Sequence, residues 1–296
     1  MTVRPVDWVD AFAEAPFAGN PCAVVHDAEG LPDAQRAALV RETSLSECAY
    51  VVPSEVADFG ARYWLAEREI PMAGHPTVAT VVSLVNRGLV DVSSGRAAFT
   101  LEVGAGVLPI EVTAAGGRVV VRMVQRRPEF QAEQDPAEIA AIFGLSAGDV
   151  EGVPRIVSTG TPFCVTLLRS AEALRRAVLD APRLEAWRAG LDMAAAPIME
   201  PFLSVPGAVE GCDVFSRLLL APPMPAEDSF TGSATGCLGA YLSATGRLGP
   251  RFTAGQGDWM GRPGRAEVEV LGPAEAPEGI AVAGAGVVLM SGELRL

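Results

Sequence analysis

Three short stretches carry side chains that could move a proton on a small molecule. Glu47 sits in SLSECAY, where a helical pattern gives way to the strand-like run CAYVV, among small and apolar neighbours. A carboxylate that takes a proton from carbon becomes the acid that returns it, so one glutamate can serve both directions of a proton shift. His75 follows Gly74 in AGHPT at an expected helix start, where the dipole favours a neutral imidazole that donates or relays a hydrogen bond. The third stretch is AEDSFTGSATGCLGAYL, residues 226–242, in which Glu227 and Asp228 precede a glycine- and hydroxyl-rich turn that runs into an apolar helix.

The first N–H groups of a helix lack intrahelical partners. Gly232, Ser233 and Gly236 would let a ligand approach them, and the N–H groups from Gly232 through Ala234 to Thr235 suit a carboxylate or an enolate-like intermediate. Asp228 reads equally as a helix cap and as a residue that orients His75 or a polar substituent of the ligand. His26, in VVHDAEG, reads as an exposed loop residue.

Composition removes other chemistries. All 23 cationic side chains are Arg, so no lysine Schiff base and no P-loop can be built. Two histidines and five scattered cysteines give no metal-ligand spacing, and no GxGxxG follows a strand, so neither metal nor dinucleotide is expected. A net charge of −13 argues against nucleic acid and anionic membranes and leaves a small ligand as the expected partner, which the helix starts make a carboxylated metabolite. No apolar run approaches the ~18 residues of a membrane span, and the N-terminus lacks a signal-peptide layout, so the cytoplasm is expected.

The elements that must position these groups follow from an internal repeat. EIPMAGHPTVATVVSLVNRG, residues 69–88, overlays EDSFTGSATGCLGAYLSATG, residues 227–246, at one constant offset, matching Glu69 with Glu227, Gly74 with Gly232, Thr77 with Thr235, Leu84 with Leu242 and Gly88 with Gly246. AGNPCAVV from Ala18 and TGTPFCVTLL from Thr159 form a second pair, each a Gly-x-Pro turn entering a strand. Strands are expected at 22–25, 48–52, 61–66, 97–103, 108–114, 118–124, 164–168 and 266–271, and helices at 32–41, 135–143 and 170–179. The polar, proline-punctuated segment 125–136 marks the crossing between halves. The expected architecture is α+β, with two pseudo-symmetric lobes, each a curved mixed sheet or barrel around a central helix, and an active site in the cleft between them. Their bounds are 1–124 and 125–283, and a final strand pair, IAVAG and GVVLMSGELRL, is free from about residue 284 to join the first lobe.

FAGNPCAVV (17–25), SLSECAYVV (44–52), EIPMAGHPT (69–77), TGTPF (159–163), EDSFTGSATG (227–236) and QGDWMGRP (256–263) occur in an order that resembles the PhzF-like phenazine-biosynthesis family, whose fold is similar to that of diaminopimelate epimerase. The resemblance implies a homodimer that works without a cofactor and isomerises a dihydro-hydroxyanthranilate-like acid. By position it makes Glu47, His75 and Asp228 the catalytic residues. It places Asn20, Gly74 and Ser233 near the ligand, and Ser46, Gly232 and Ala234 complete the expected substrate-binding set. Two features depart from the family pattern: Ser229 after the acid pair, and LAERE, residues 65–69, before the histidine motif. They keep open an epimerase or racemase of an amino or hydroxy acid, and a metabolite-binding protein without turnover. Two-thiol racemisation is disfavoured, because Gly74-His75-Pro76 and Gly232-Ser233-Ala234 put no cysteine at either helix start.

Overall fold

A computed structural model describes residues 2–191, 199–222, 224–273 and 276–296. Its contacts divide the chain into two units. The first comprises Met1–Val124, Asp258–Ala266 and Ala283–Leu296, and the second Gln125–Gly257 and Glu267–Val282.

In the first unit the chain runs β1 (Val3–Ala11), β2 (Asn20–Val25), α1 (Asp33–Thr43), β3 (Cys48–Val52), β4 (Phe59–Trp64), β5 (Glu69–Ile70), α2 (Gly74–Asn86), β6 (Arg96–Val103), β7 (Gly106–Ala115) and β8 (Arg118–Gln125). β1 and β2 pair antiparallel, β2 and β3 parallel, β3 and β4 antiparallel, and β4 and β6 parallel. β6, β7 and β8 continue as an antiparallel meander. The C-terminal strand, Gly279–Arg295, pairs with both β8 and β1, from Val3 opposite Arg295, and so closes an eight-stranded barrel. Closure leaves no free edge in this ring.

α2 fills the barrel. Every residue from Gly74 to Leu84 is buried, as an all-round apolar helix must be. Its hydroxyls are tolerated there because they bond back to the helix itself: Thr77 Oγ1 donates to the Ala73 carbonyl and Thr80 Oγ1 to that of Pro76, both at 2.7 Å. Each fully buried Val or Leu adds roughly 1.5–3 kcal/mol to this packing.

The second unit repeats the scheme. β9 (Glu129–Glu133), α3 (Pro136–Ile142), β10 (Val150–Ser158), β11 (Pro162–Leu168), α4 (Ala171–Arg176), α5 (Ala181–Ala189), β12 (Phe202–Pro206), β13 (Val214–Leu219), β14 (Glu227–Asp228), α6 (Gly232–Ala244), β15 (Arg251–Gln256) and β16 (Gly264–Leu271) follow in order, and β17 is the C-terminal strand. β10 and β11 pair antiparallel, β11 and β12 parallel, β12 and β13 antiparallel, and β13 and β15 parallel, the same sequence of pairings as in the first unit. A two-residue strand precedes each central helix, and α2 and α6 are both 13 residues long and begin at the glycines matched by the internal repeat. The fold is therefore the expected pseudo-symmetric α+β duplication.

Local expectations are corrected at four places. The final strand pair is one continuous 17-residue strand. Its glycines mark close approaches instead of a turn: a Cβ on Gly284 would collide with the Phe12 ring, and one on Gly286 would lie 2.7 Å from Val82 Cγ2 of α2. The helix capped by Ser170 stops at Arg176, where Ala177 turns to extended backbone. A second helix, α5, then starts from an Asp180 cap with Pro at its first turn. The polar segment after Val124 contains β9, which pairs with β10.

Candidate functional site

Two structural elements deliver the first group of site residues. α1 ends at Ser44, whose left-handed φ of 55° turns the chain through Leu45, Ser46 and Glu47 into β3. The loop between β1 and β2 delivers Asn20 as the first residue of β2. These meet the start of α2: His75 Nδ1 lies 3.1 Å from Asn20 Nδ2 and 3.3 Å from Glu47 Oε2. His75 is buried, whereas the Glu47 side chain keeps 18% of its surface exposed. Burial drives the His75 imidazole down to about 3, so it is neutral across the physiological range.

A neutral ring has one proton for two nitrogens. Nδ1–H can be donated to the Glu47 carboxylate, or a bare Nδ1 can accept from the Asn20 amide, and Nε2 is buried without a protein partner. The tautomer of His75 is thereby tied to both neighbours. Glu47, His75, Asn20 and Gly74 come together in this unit, and Ser46 lies half-buried in the turn before Glu47.

In the second unit the acid pair divides its work. Glu227 is held by the Arg217 guanidinium in a two-pronged pair, at 2.9 and 2.7 Å. Arg217 also donates to the Leu174 and Ala177 carbonyls at the end of α4, so Glu227 is a structural brace. Asp228 Oδ2 accepts from Thr231 Oγ1 at 2.5 Å. The residue at the cap position of α6 is Thr231, and its side chain makes no capping hydrogen bond; the cap of α2, Ala73, has no such group. Neither first turn contains an acid, so no carboxylate of its own helix offsets the positive end of either dipole. Ser233 is half-buried at the second position of α6, between buried Gly232 and Ala234.

Two buried glutamines, absent from the sequence-derived candidates, fix this helix start. Gln256 Oε1 accepts from Thr231 N–H at 3.0 Å while its Nε2 donates to the Asp228 carbonyl at 2.7 Å. Gln125 Nε2 donates to the Gly232 carbonyl at 2.8 Å, and its Oε1 accepts from Thr159 Oγ1. Gln256 opens QGDWMGRP, which was the available signal; Gln125 had none beyond its place in a polar run. The space at Gly236, expected to admit a ligand, is filled by the Gln125 amide, with which a Cβ there would collide.

His26 is a further correction. It is buried, with Nε2 2.6 Å from Ser83 Oγ, and Ser83 donates to Asp7 Oδ2 at 2.6 Å. Arg87 forks onto the same carboxylate. β2 ends one residue before His26 and so carries it against the last turns of α2, which a loop reading could not reveal. The departures have local structural roles. Leu65 N–H bonds the Arg68 carbonyl, making LAERE the turn between β4 and β5, and Ser229 is buried between Asp228 and Phe230. Among the described residues no helix is long and apolar enough to cross a membrane.

The family model described as "phenazine biosynthesis-like protein" matches residues 9–292. The trans-2,3-dihydro-3-hydroxyanthranilate isomerase of Pseudomonas aeruginosa is 28% identical, over 97% of this chain and 98% of its own. A PhzF-family phenazine biosynthesis protein of Bacillus anthracis superposes with a TM-score of 0.85 at 27% identity over the whole of both chains. A predicted epimerase of Pseudomonas aeruginosa gives 0.83 at 32% identity over 99% of each.

Proposed function

Because the chain belongs to the phenazine biosynthesis-like protein family and is an isomerase, we propose that it moves a proton between carbons of a small carboxylated substrate of the dihydro-hydroxyanthranilate kind, without a cofactor, and with Glu47 as acid and base. The observation that carries this is the Glu47–His75 contact at 3.3 Å, in which one partner is buried and neutral and the other is partly exposed. A buried imidazole with a pKa near 3 holds no second proton at neutral pH, so the carboxylate is the group left to take a proton from carbon.

The bond broken is a substrate C–H, and its electron pair moves into the conjugated system. Glu47 then returns the proton to a different carbon, and substrate and product are isomers. With Glu47 ionised, His75 Nδ1–H steadies the carboxylate. Once Glu47 is protonated, the same Nδ1–H stays on a carboxyl oxygen, so the ring keeps its one proton through the cycle. Within the second unit, the leading N–H groups of α6 and the Ser233 hydroxyl are suited to a carboxylate, and Asp228 to an amine or hydroxyl. A homodimer belongs to the same proposal and is read by light scattering.

The test is turnover of trans-2,3-dihydro-3-hydroxyanthranilate in deuterated water. Solvent deuterium enters the product, and Glu47→Gln lowers the rate by about 10²–10⁴-fold, the usual worth of a positioned acid–base group. Undiminished turnover by Glu47→Gln would overturn the assignment. The similarity to a predicted epimerase supports a second reading, inversion at one carbon of an amino or hydroxy acid. Loss of optical rotation with unchanged ultraviolet absorbance would select it.

A further inference from the structure

We infer that Arg262 is a positioning residue of the acid–base group, acting through Asn20 on His75. The loop between β1 and β2 needs an external hold. Phe12, Phe17 and Gly19 all have φ between 55° and 66°, and two of them are phenylalanines in a backbone region that L side chains disfavour. Gly19 itself is obligatory, since a Cβ there would collide with the Ala11 carbonyl.

The hold comes from a segment more than two hundred positions away. Asp258–Ala266 returns to the first unit. Arg262 Nη2 donates to Asp10 Oδ1 at 2.7 Å and to the Ala18 carbonyl at 2.9 Å, and its Nε donates to the Gly19 carbonyl at 3.0 Å. Asp10, fully buried, accepts from the Phe17 N–H at 2.8 Å. Gly19 N–H bonds the Pro263 carbonyl and Arg265 N–H bonds that of Phe12. Within the returning segment, Arg265 forks onto Asp258 at 2.8 and 2.7 Å.

One guanidinium thus fixes the two carbonyls immediately before Asn20, together with the buried carboxylate that shapes the turn. Asn20 is the residue whose amide stands 3.1 Å from His75 Nδ1. A rigid Asn20 amide biases which His75 nitrogen bears the proton, and that choice sets whether Nδ1 donates to Glu47. Arg262 touches none of these three side chains in the hydrogen bonds that define the clamp, so its effect passes through the backbone of residues 18–20.

The inference about His75 stands on geometry alone, and its catalytic consequence rests on the proposed function. The chain has only two histidines, so ¹⁵N spectra of the imidazoles resolve into a site signal and a control, His26, at the other end of α2. In Arg262→Gln the His75 ring nitrogens move toward tautomer-averaged positions while those of His26 stay in place. Asn20→Ala gives a His75 change of the same sense, and the double variant adds little to either. Arg262→Lys keeps a cation against buried Asp10, guarding against simple unfolding, and shows an intermediate His75 shift because an ammonium lacks the planar fork. On trans-2,3-dihydro-3-hydroxyanthranilate, kcat falls about 10–100-fold with KM little changed, as expected for a misplaced acid–base group. Unmoved His75 signals in folded Arg262→Gln, or equal movement of both histidines, would overturn the inference. Shifted His75 signals with no turnover even in the unsubstituted protein would uphold the positioning role and count against the proposed reaction instead.

Discussion

The side-chain amide of Gln125 occupies the place where a Cβ on Gly236 would stand. From there it bonds both the Gly232 carbonyl and the Thr159 hydroxyl, so the missing methyl of a helix residue is what admits the brace for that helix's own first turn. Gly236→Ala must displace Gln125 and break both bonds. Overpacking of this kind costs about 1–3 kcal/mol, which outweighs the gain of up to ~1 kcal/mol that alanine brings to an ordinary helix interior. Chemical denaturation of Gly236→Ala should show the loss, and pairing it with Gln125→Ala should recover part of it by making room for the methyl.

Glu227 and Asp228 are adjacent, yet their substitutions should separate cleanly. Glu227→Gln leaves the Arg217 guanidinium, 13% exposed, without its counter-charge, and breaking a buried pair costs about 3–5 kcal/mol, with some relief here from partial solvent access. Asp228→Asn keeps a side-chain oxygen for Thr231 and should change the melting temperature little while impairing turnover on the proposed substrate. A fall in stability for Asp228→Asn equal to that for Glu227→Gln would argue that both acids are structural.

The duplication was legible because it is written in glycines: Gly74 and Gly232 open helices of equal length, and a constant offset between two segments needs no knowledge of packing. Glu47, His75 and Asn20 were legible as separate motifs, and the fold supplied only their meeting. What escaped has a common physical origin. Gly284 and Gly286 read as a turn, but they are places where Phe12 and Val82 press against a straight strand, and strand glycines look the same in either role. His26 read as exposed because its neighbours Asp27 and Glu29 are polar; its burial depends on Asp7 and Ser83, which lie 19 residues before it and 57 after it. Arg262 and Gln125 act across longer separations still, 243 and 107 residues, on backbone carbonyls, which carry no side-chain signature at all.

His26 makes stability depend on acidity. Burial, with help from the nearby Arg87 charge, lowers its pKa from the ordinary 6.5 to about 4. The folded state therefore holds the neutral ring, and as pH falls the unfolded chain takes up the proton first. Stability from this group is complete above about pH 6.5 and is lost as pH falls through 6.5 toward 4, at up to about 1.4 kcal/mol per pH unit. His75 acts in the same direction, its window extending to about 3. Denaturation midpoints measured from pH 7 to pH 4.5 should fall less steeply for His26→Asn than for the unsubstituted protein. Parallel slopes would mean that His26 titrates alike in both states.

Cysteine reactivity separates the two enzymatic readings. Desolvation lifts the thiols of Cys48 and Cys164 to about 12 and that of Cys237 to about 11, and raises Cys22 well above its ordinary value, so none of the four forms a useful thiolate at neutral pH. Cys212 is only half-buried. Iodoacetamide at pH 7.5 should modify Cys212 first, with peptide mass spectrometry showing the other four intact, and proton exchange on the dihydro-hydroxyanthranilate should persist in the modified protein. Cys48→Ala and Cys237→Ala should each keep activity within a few-fold and lose stability as small core truncations do. Inactivation that tracks alkylation of Cys48 or Cys237 would instead place a thiol at the reacting carbon, where one glutamate moving one proton no longer describes the chemistry.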